Sequence, residues 1–131
     1  MPVYKGACHC GAVQFRVDAV FKETTSCDCS LCTKKNARMA MAHESALTID
    51  GGEDALSLYQ WNTHVARHFF CKHCGIYTFH KKRSMPDHYG INVFCLEGFD
   101  VDSVPHRRAD GKDMSVAAEG ARDDWPGPRS A

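Results

Sequence analysis

The sequence predicts a mainly β fold with metal at its turns, and three observations carry that expectation. Apolar and polar residues alternate with a period of two, as where Val13, Phe15 and Val17 are set against Gln14, Arg16 and Asp18. Helix propensity is weak almost everywhere along the chain. Seven of the eight cysteines fall into tight groups beside turn residues: Cys8 and Cys10, then Cys27, Cys29 and Cys32, then Cys71 and Cys74.

Taken in order, Val3 and Tyr4 open a strand, Gly6 to Gly11 turn the chain around Cys8 and Cys10, and Val13 to Asp18 return it. Thr24 to Cys27 reads as a short extended run entering the three-cysteine stretch Ser26 to Lys34, where Ser30 is placed to cap a helical turn from Leu31 to about Lys35. Exposed amides at such a helix start favour thiolates. Arg38 to Ala42, Ala46 to Ile49 and Leu56 to Trp61 have strand character, with Asp50-Gly51-Gly52 as a turn. His68 to Phe70 leads into Cys71-Lys-His-Cys74-Gly75 and Ile76 to His80 leads out, which makes a hairpin with a metal knuckle at its tip. Lys81 to Arg83 with Met85 and Pro86 form a basic loop, and Tyr89 to Cys95 is a further strand. Tyr59, Trp61, Phe69 and Phe79 are expected in the core.

One domain is expected over residues 1–131, with a core over about 3–100. Beyond Asp100 apolar residues thin out, so 101–131 is expected as an irregular tail in which Val101, Val104 and Trp125 are the anchors. Sixteen basic residues balance sixteen acidic ones, so no overall field draws the chain to nucleic acid or to a membrane surface. The opening residues lack a signal-like apolar run and no stretch approaches a membrane span. The expected location is cytoplasmic, where cysteines serve as metal ligands or reactive thiols rather than disulfides.

The sulfur arithmetic then divides in two. Cys8, Cys10, Cys71 and Cys74 form two pairs on glycine-flanked turns and can complete a four-sulfur tetrahedron, a closed shell of the structural kind. A redox role for either pair is disfavoured, because Cys-x-x-Cys redox centres sit at a helix start whereas Cys71 and Cys74 lie between strands. Cys27, Cys29 and Cys32 can hold a second zinc with one position left over, as catalytic zinc sites do. Two Zn²⁺ per chain are therefore expected. Cys95 lies in an apolar strand and reads as a small buried hydrophobe.

Around these sites Lys34, Lys35 and Arg38 can offset the negative charge of a thiolate centre, while Lys81, Lys82 and Arg83 read as solvated surface. His9 and His73 lie inside cysteine turns and are expected to be exposed. His43, His64, His68 and His80 are the histidines that can approach the second metal, and spacing selects none of them.

Three motifs in order carry a family resemblance: Gly6-x-Cys8-x-Cys10-Gly11-x-Val13-x-Phe15, Cys27-x-Cys29-Ser30-x-Cys32-x-Lys34 and Phe70-Cys71-x-x-Cys74-Gly75. Over about its first hundred residues the chain resembles the glutathione-dependent formaldehyde-activating enzymes, a domain shared with centromere protein V. The resemblance implies the zinc-containing β-tent fold, with complex antiparallel sheets and few short helices. It implies a structural zinc on Cys8, Cys10, Cys71 and Cys74 and a catalytic zinc on Cys27, Cys29 and Cys32. The implied activity is that of a carbon-sulfur lyase, of the S-(hydroxymethyl)glutathione synthase kind, with a small thiol such as glutathione and a small aldehyde such as formaldehyde as partners. Two other readings stand beside it: a non-catalytic zinc-binding interaction module, and a thiol or metal sensor. The fourth ligand at the Cys27 site distinguishes them.

Overall fold

A computed structural model describes residues 3–27, 34–60, 67–81 and 87–109 of the chain. Its strands are β1 (Val3–Ala7), β2 (Gln14–Asp18), β3 (Thr24–Cys27), β4 (Met39–His43), β5 (Leu47–Gly51), β6 (Leu56–Tyr59), β7 (Arg67–Cys71), β8 (Tyr77–Lys81), β9 (His88–Asn92) and β10 (His106–Ala109). They form a three-stranded sheet in the order β1-β2-β5 and a seven-stranded sheet in the order β10-β3-β4-β9-β8-β7-β6. Among the described residues the fold is mainly β, as the alternation predicts, and its named helical elements are single 3-10 turns.

The period-two pattern decides which side chains meet between the sheets. Along β2 the even alternation buries Phe15 and Val17 and exposes Gln14, Arg16 and Asp18. Phe79, Ile91, Ala40 and Ala42 line the facing side of the larger sheet, and the Phe15 and Phe79 rings meet edge to face with centroids 5.3 Å apart. A second aromatic group, Tyr4, Phe21 and Phe99, has its three centroid separations between 5.5 and 5.9 Å. Gly52 is needed where it stands: its φ is +82°, and a Cβ there would lie 1.9 Å from the carbonyl oxygen of Ala12.

Several expectations shift. The strand expected over Tyr89 to Cys95 ends at Asn92, because the Asn92 side chain accepts the Phe94 amide at 3.2 Å and caps a 3-10 turn over Val93–Cys95. Tyr59, expected in the core, is 41% exposed on the edge strand β6, whereas Phe79 is buried and Phe69 packs partly against the core. Trp61 and Trp125 lie outside the described residues. The segment after Asp100, expected to be irregular, carries a 3-10 turn at Val101–Ser103 and then β10, which runs parallel to β3 from His106↔Thr24 to Ala109↔Cys27. His106 Nδ1 and Nε2 share hydrogen bonds with the hydroxyls of Thr24 (2.9 Å) and Ser26 (3.1 Å), so polar side chains fix a strand that has few apolar residues to bury. No helix among the described residues is long and apolar enough to cross a membrane.

Candidate metal centre

Two turns, one from each sheet, bring four sulfurs together. In the turn between β1 and β2, the Cys8 amide donates to the Val13 carbonyl (3.1 Å) and the Gly11 amide to the Cys8 carbonyl (3.2 Å). Between β7 and β8, the Cys71 amide donates to the Ile76 carbonyl (3.0 Å) and the Gly75 amide to the Cys71 carbonyl (2.8 Å). Each reversal also turns an amide toward sulfur: Val13 N–H onto Cys8 Sγ at 3.3 Å and His73 N–H onto Cys71 Sγ at 3.4 Å. The four sulfurs of Cys8, Cys10, Cys71 and Cys74 all lie within 4.8 Å of one another.

The geometry suits a tetrahedral ion. Zinc-sulfur bonds of about 2.3 Å place the sulfurs of a regular tetrahedron about 3.8 Å apart. The Cys8–Cys10 and Cys10–Cys71 separations are 3.6 and 3.7 Å, one within a turn and one between the sheets. Cys8 and Cys71 are buried, Cys74 is half-buried and Cys10 is exposed, so the cluster has a wet and a dry side.

These thiols do not ionise alike. Hydrogen bonds with the backbone of Cys10 and Ile76 bring Cys74 down to about 6. Burial opposes ionisation of Cys8, yet the Val13 amide and the thiols of Cys10 and Cys71 hold it below the ordinary range. At Cys10 the Ala12 amide favours the thiolate, but desolvation and the neighbouring sulfurs push it up to about 11. A cluster in which one thiolate makes the next harder to form is one that a cation stabilises strongly.

The three-cysteine stretch is reached only at its borders. Cys29 and Cys32 lie outside the described residues, as does the side chain of Cys27, while Lys34 and Lys35 form a helical turn on its far side. Lys34 is exposed and Arg38 half-buried. Lys35 reaches back over the sheet, its Nζ 4.0 Å from the centroid of the Tyr77 ring.

The histidines separate as follows. His9 and His73 are exposed, as expected from their place inside the turns. His43 is exposed beside Asp87, its Nδ1 accepting the Ser45 amide at 3.2 Å. His64 lies outside the described residues. His68 is buried with its Nδ1 2.8 Å from the Tyr77 hydroxyl, and the half-buried His80 ring lies 5.2 Å from it, centroid to centroid. Burial, with Lys35 adding its charge, brings His68 down to about 4. Of the basic loop, Lys81 pairs with Glu44, and Lys82 and Arg83 lie outside the described residues. Cys95 is half-buried, its thiol directed at the Tyr77 carbonyl at 3.5 Å, and burial pushes it up to about 11.

The grouping of Lys35, His68, Tyr77 and His80 was not anticipated by the sequence analysis. Spacing alone does not give it: reflecting the chain about the Cys71 turn, where Phe70 pairs with Tyr77, sets His68 opposite Phe79, and only the register shift between Phe69 and Phe70 brings His80 opposite His68.

A family model described as glutathione-dependent formaldehyde-activating enzyme matches residues 3–109. Among solved structures, the crystal structure of a Rhodobacter sphaeroides protein, a structural genomics target, is similar with 45% identity and a TM-score of 0.73; the match covers 78% of this chain and 98% of that one.

Two outcomes follow from this geometry. Cys71→Ala should unfold or aggregate the protein and release a metal ion, because structural zinc contributes on the order of 10 kcal/mol in small domains, and circular dichroism with metal analysis checks this. His68 binds fewer protons folded, at about 4, than unfolded, at its ordinary 6.5, so its contribution is whole above about pH 6.5 and is lost as the pH falls toward 4. Urea unfolding should show the wild type losing about 2 kcal/mol more than His68→Asn between about pH 7.5 and pH 5; equal losses would contradict the burial of a neutral imidazole.

Proposed function

The chain belongs to the glutathione-dependent formaldehyde-activating enzyme family, and from that premise we propose that it is a cytoplasmic zinc enzyme of the carbon-sulfur lyase class, joining a small thiol reversibly to a small aldehyde. Formaldehyde activation with glutathione is the function associated with the family as a whole. The observation that carries the finer reading is that Cys8, Cys10, Cys71 and Cys74 complete a four-sulfur set by themselves. Cys27, Cys29 and Cys32 are then left as a separate centre with three ligands, and the chain takes two zinc ions, one structural and one catalytic.

Zinc on Cys27, Cys29 and Cys32 would supply a place where a substrate thiol gives up its proton while its sulfur stays nucleophilic. The protein's own residues do the rest. Lys34, Lys35 and Arg38 follow the stretch in sequence, and positive charge there favours a centre gaining a further thiolate. The four-sulfur clip fixes the β7–β8 hairpin, and with it His68 and Tyr77, relative to the three-stranded sheet, while pairing with β9 holds it in its own sheet. The product of addition is a hemithioacetal, and the reverse reaction breaks its carbon-sulfur bond. A reducing cytoplasm keeps both the ligand thiols and the substrate thiol in the state this chemistry requires.

Cobalt-substituted protein provides the test, since each thiolate adds sulfur-to-metal charge-transfer absorption. Glutathione should raise that band in the wild type, and the protein should accelerate exchange between formaldehyde and its glutathione adduct in NMR. Cys29→Ala should keep a cooperative thermal transition while losing one metal, the rise and the acceleration. A spectrum indifferent to thiols, with no acceleration for any small thiol and aldehyde, would favour a zinc-binding interaction module instead.

A further inference from the structure

The larger sheet has one face turned to the aromatic core, and protonatable groups are gathered around its β7–β8 hairpin beside the helical turn of Lys34 and Lys35. His68 on β7 and His80 on β8 stand opposite each other in register, and β9 places Gly90 next in the same row. That glycine makes room for an imidazole, because a Cβ at Gly90 would come within 2.5 Å of His80 Cε1. The Tyr77 backbone is fixed at its carbonyl, which accepts Asn92 Nδ2–H at 2.8 Å and the Cys95 thiol at 3.5 Å. Its hydroxyl lies 2.8 Å from His68 Nδ1, and its ring carries the Lys35 ammonium at 4.0 Å. Lys35 stands three residues after Cys32 in the chain, so the cation held over the Tyr77 ring follows directly on the three-cysteine stretch in sequence.

The reaction needs such a group. When sulfur adds to an aldehyde carbon, the electron pair of the C=O π bond moves to oxygen, which must be met by a proton. A metal already surrounded by thiolates is a weak Lewis acid and polarises a carbonyl poorly. The donors must then come from the protein, and a hydroxyl braced by an imidazole and a cation suits developing negative charge on oxygen.

We propose that Tyr77 is the acid that delivers a proton to the aldehyde oxygen, and that His68 is a positioning residue that donates Nδ1–H to the Tyr77 oxygen. The assignment rests on the thiol and aldehyde reading above. In the step, the S–C bond and the product O–H bond form while the C=O π bond and the Tyr77 O–H bond break. The phenolate left behind accepts from His68 and lies under the Lys35 ammonium. It regains a proton equivalent to the one that the substrate thiol released, so the sum is RSH + H₂C=O → RSCH₂OH. His68 serves here as a neutral donor, in keeping with its burial.

Tyr77→Phe keeps the ring beneath Lys35 and deletes only the hydroxyl. It should retain the wild-type zinc content, melting temperature and KM for glutathione, while kcat for adduct exchange falls about 100-fold. A binding readout accompanies turnover: the wild type should prefer the hydroxymethyl adduct of glutathione over S-methylglutathione, and Tyr77→Phe should lose about 10-fold of that preference. His68→Asn, whose amide nitrogen stands near the place of Nδ1, should stay within about 10-fold of wild-type kcat, whereas His68→Leu should match Tyr77→Phe. If Tyr77→Phe does not fold, the His68 pair decides by the same two readouts. Unchanged kcat and unchanged preference in Tyr77→Phe and His68→Leu would overturn the assignment and leave the thiol and aldehyde reading standing. A wild type that neither exchanges nor binds the adduct would overturn both.

Discussion

Four sulfurs drawn from two turns hold the two sheets together at one end, and the remaining architecture depends on that constraint. Cys8 and Cys10 belong to the three-stranded sheet, Cys71 and Cys74 to the seven-stranded one. The sequence distance closed by the Cys10–Cys71 contact spans 61 residues, so the ion that fits there closes a long loop as well as neutralising thiolates. Structural zinc in small domains contributes on the order of 10 kcal/mol, comparable with the net stability of a whole domain. The aromatic contact of Phe15 with Phe79 runs between the same sheets, so burial and ligation restrain one another.

That division of labour leaves the polar group on the larger sheet affordable. Burying His68 as a neutral imidazole costs stability at low pH. Its geometry is kept by the rigid hairpin beneath it: the bulge between Phe69 and Phe70, the bonds to the Tyr77 carbonyl and the glycine at position 90. Polar groups held in fixed positions on a paired hairpin meet the geometric requirement of the proton transfer proposed above.

Much of this was legible in the sequence because it rests on local rules. Period-two alternation places β1, β2, β4, β5, β7 and β8, and paired cysteines on glycine turns give the four-sulfur set without any knowledge of the sheets. What escaped depends on pairing between distant segments. β10 is held by its parallel neighbour β3 and by His106 bonding Thr24 and Ser26, and nothing within His106 to Ala109 signals a strand. The end of β9 at Asn92 turns on one side-chain cap that competes with the ladder. Tyr59 is exposed because β6 lies at a sheet edge, and composition does not reveal an edge. Lys35 over Tyr77 joins residues far apart in the chain, so spacing alone could not select His68 from the other histidines.

The central claim is a division of seven cysteines into a closed four-sulfur centre and an open three-sulfur one. Zinc X-ray absorption fine structure on the purified protein, before and after glutathione is added, measures it most directly. The account predicts two zinc ions per chain with about 3.5 sulfurs per zinc at about 2.3 Å, rising to about 4 when the thiol enters the open centre. A single zinc, or a shell containing protein imidazole or carboxylate that does not change with glutathione, would contradict it.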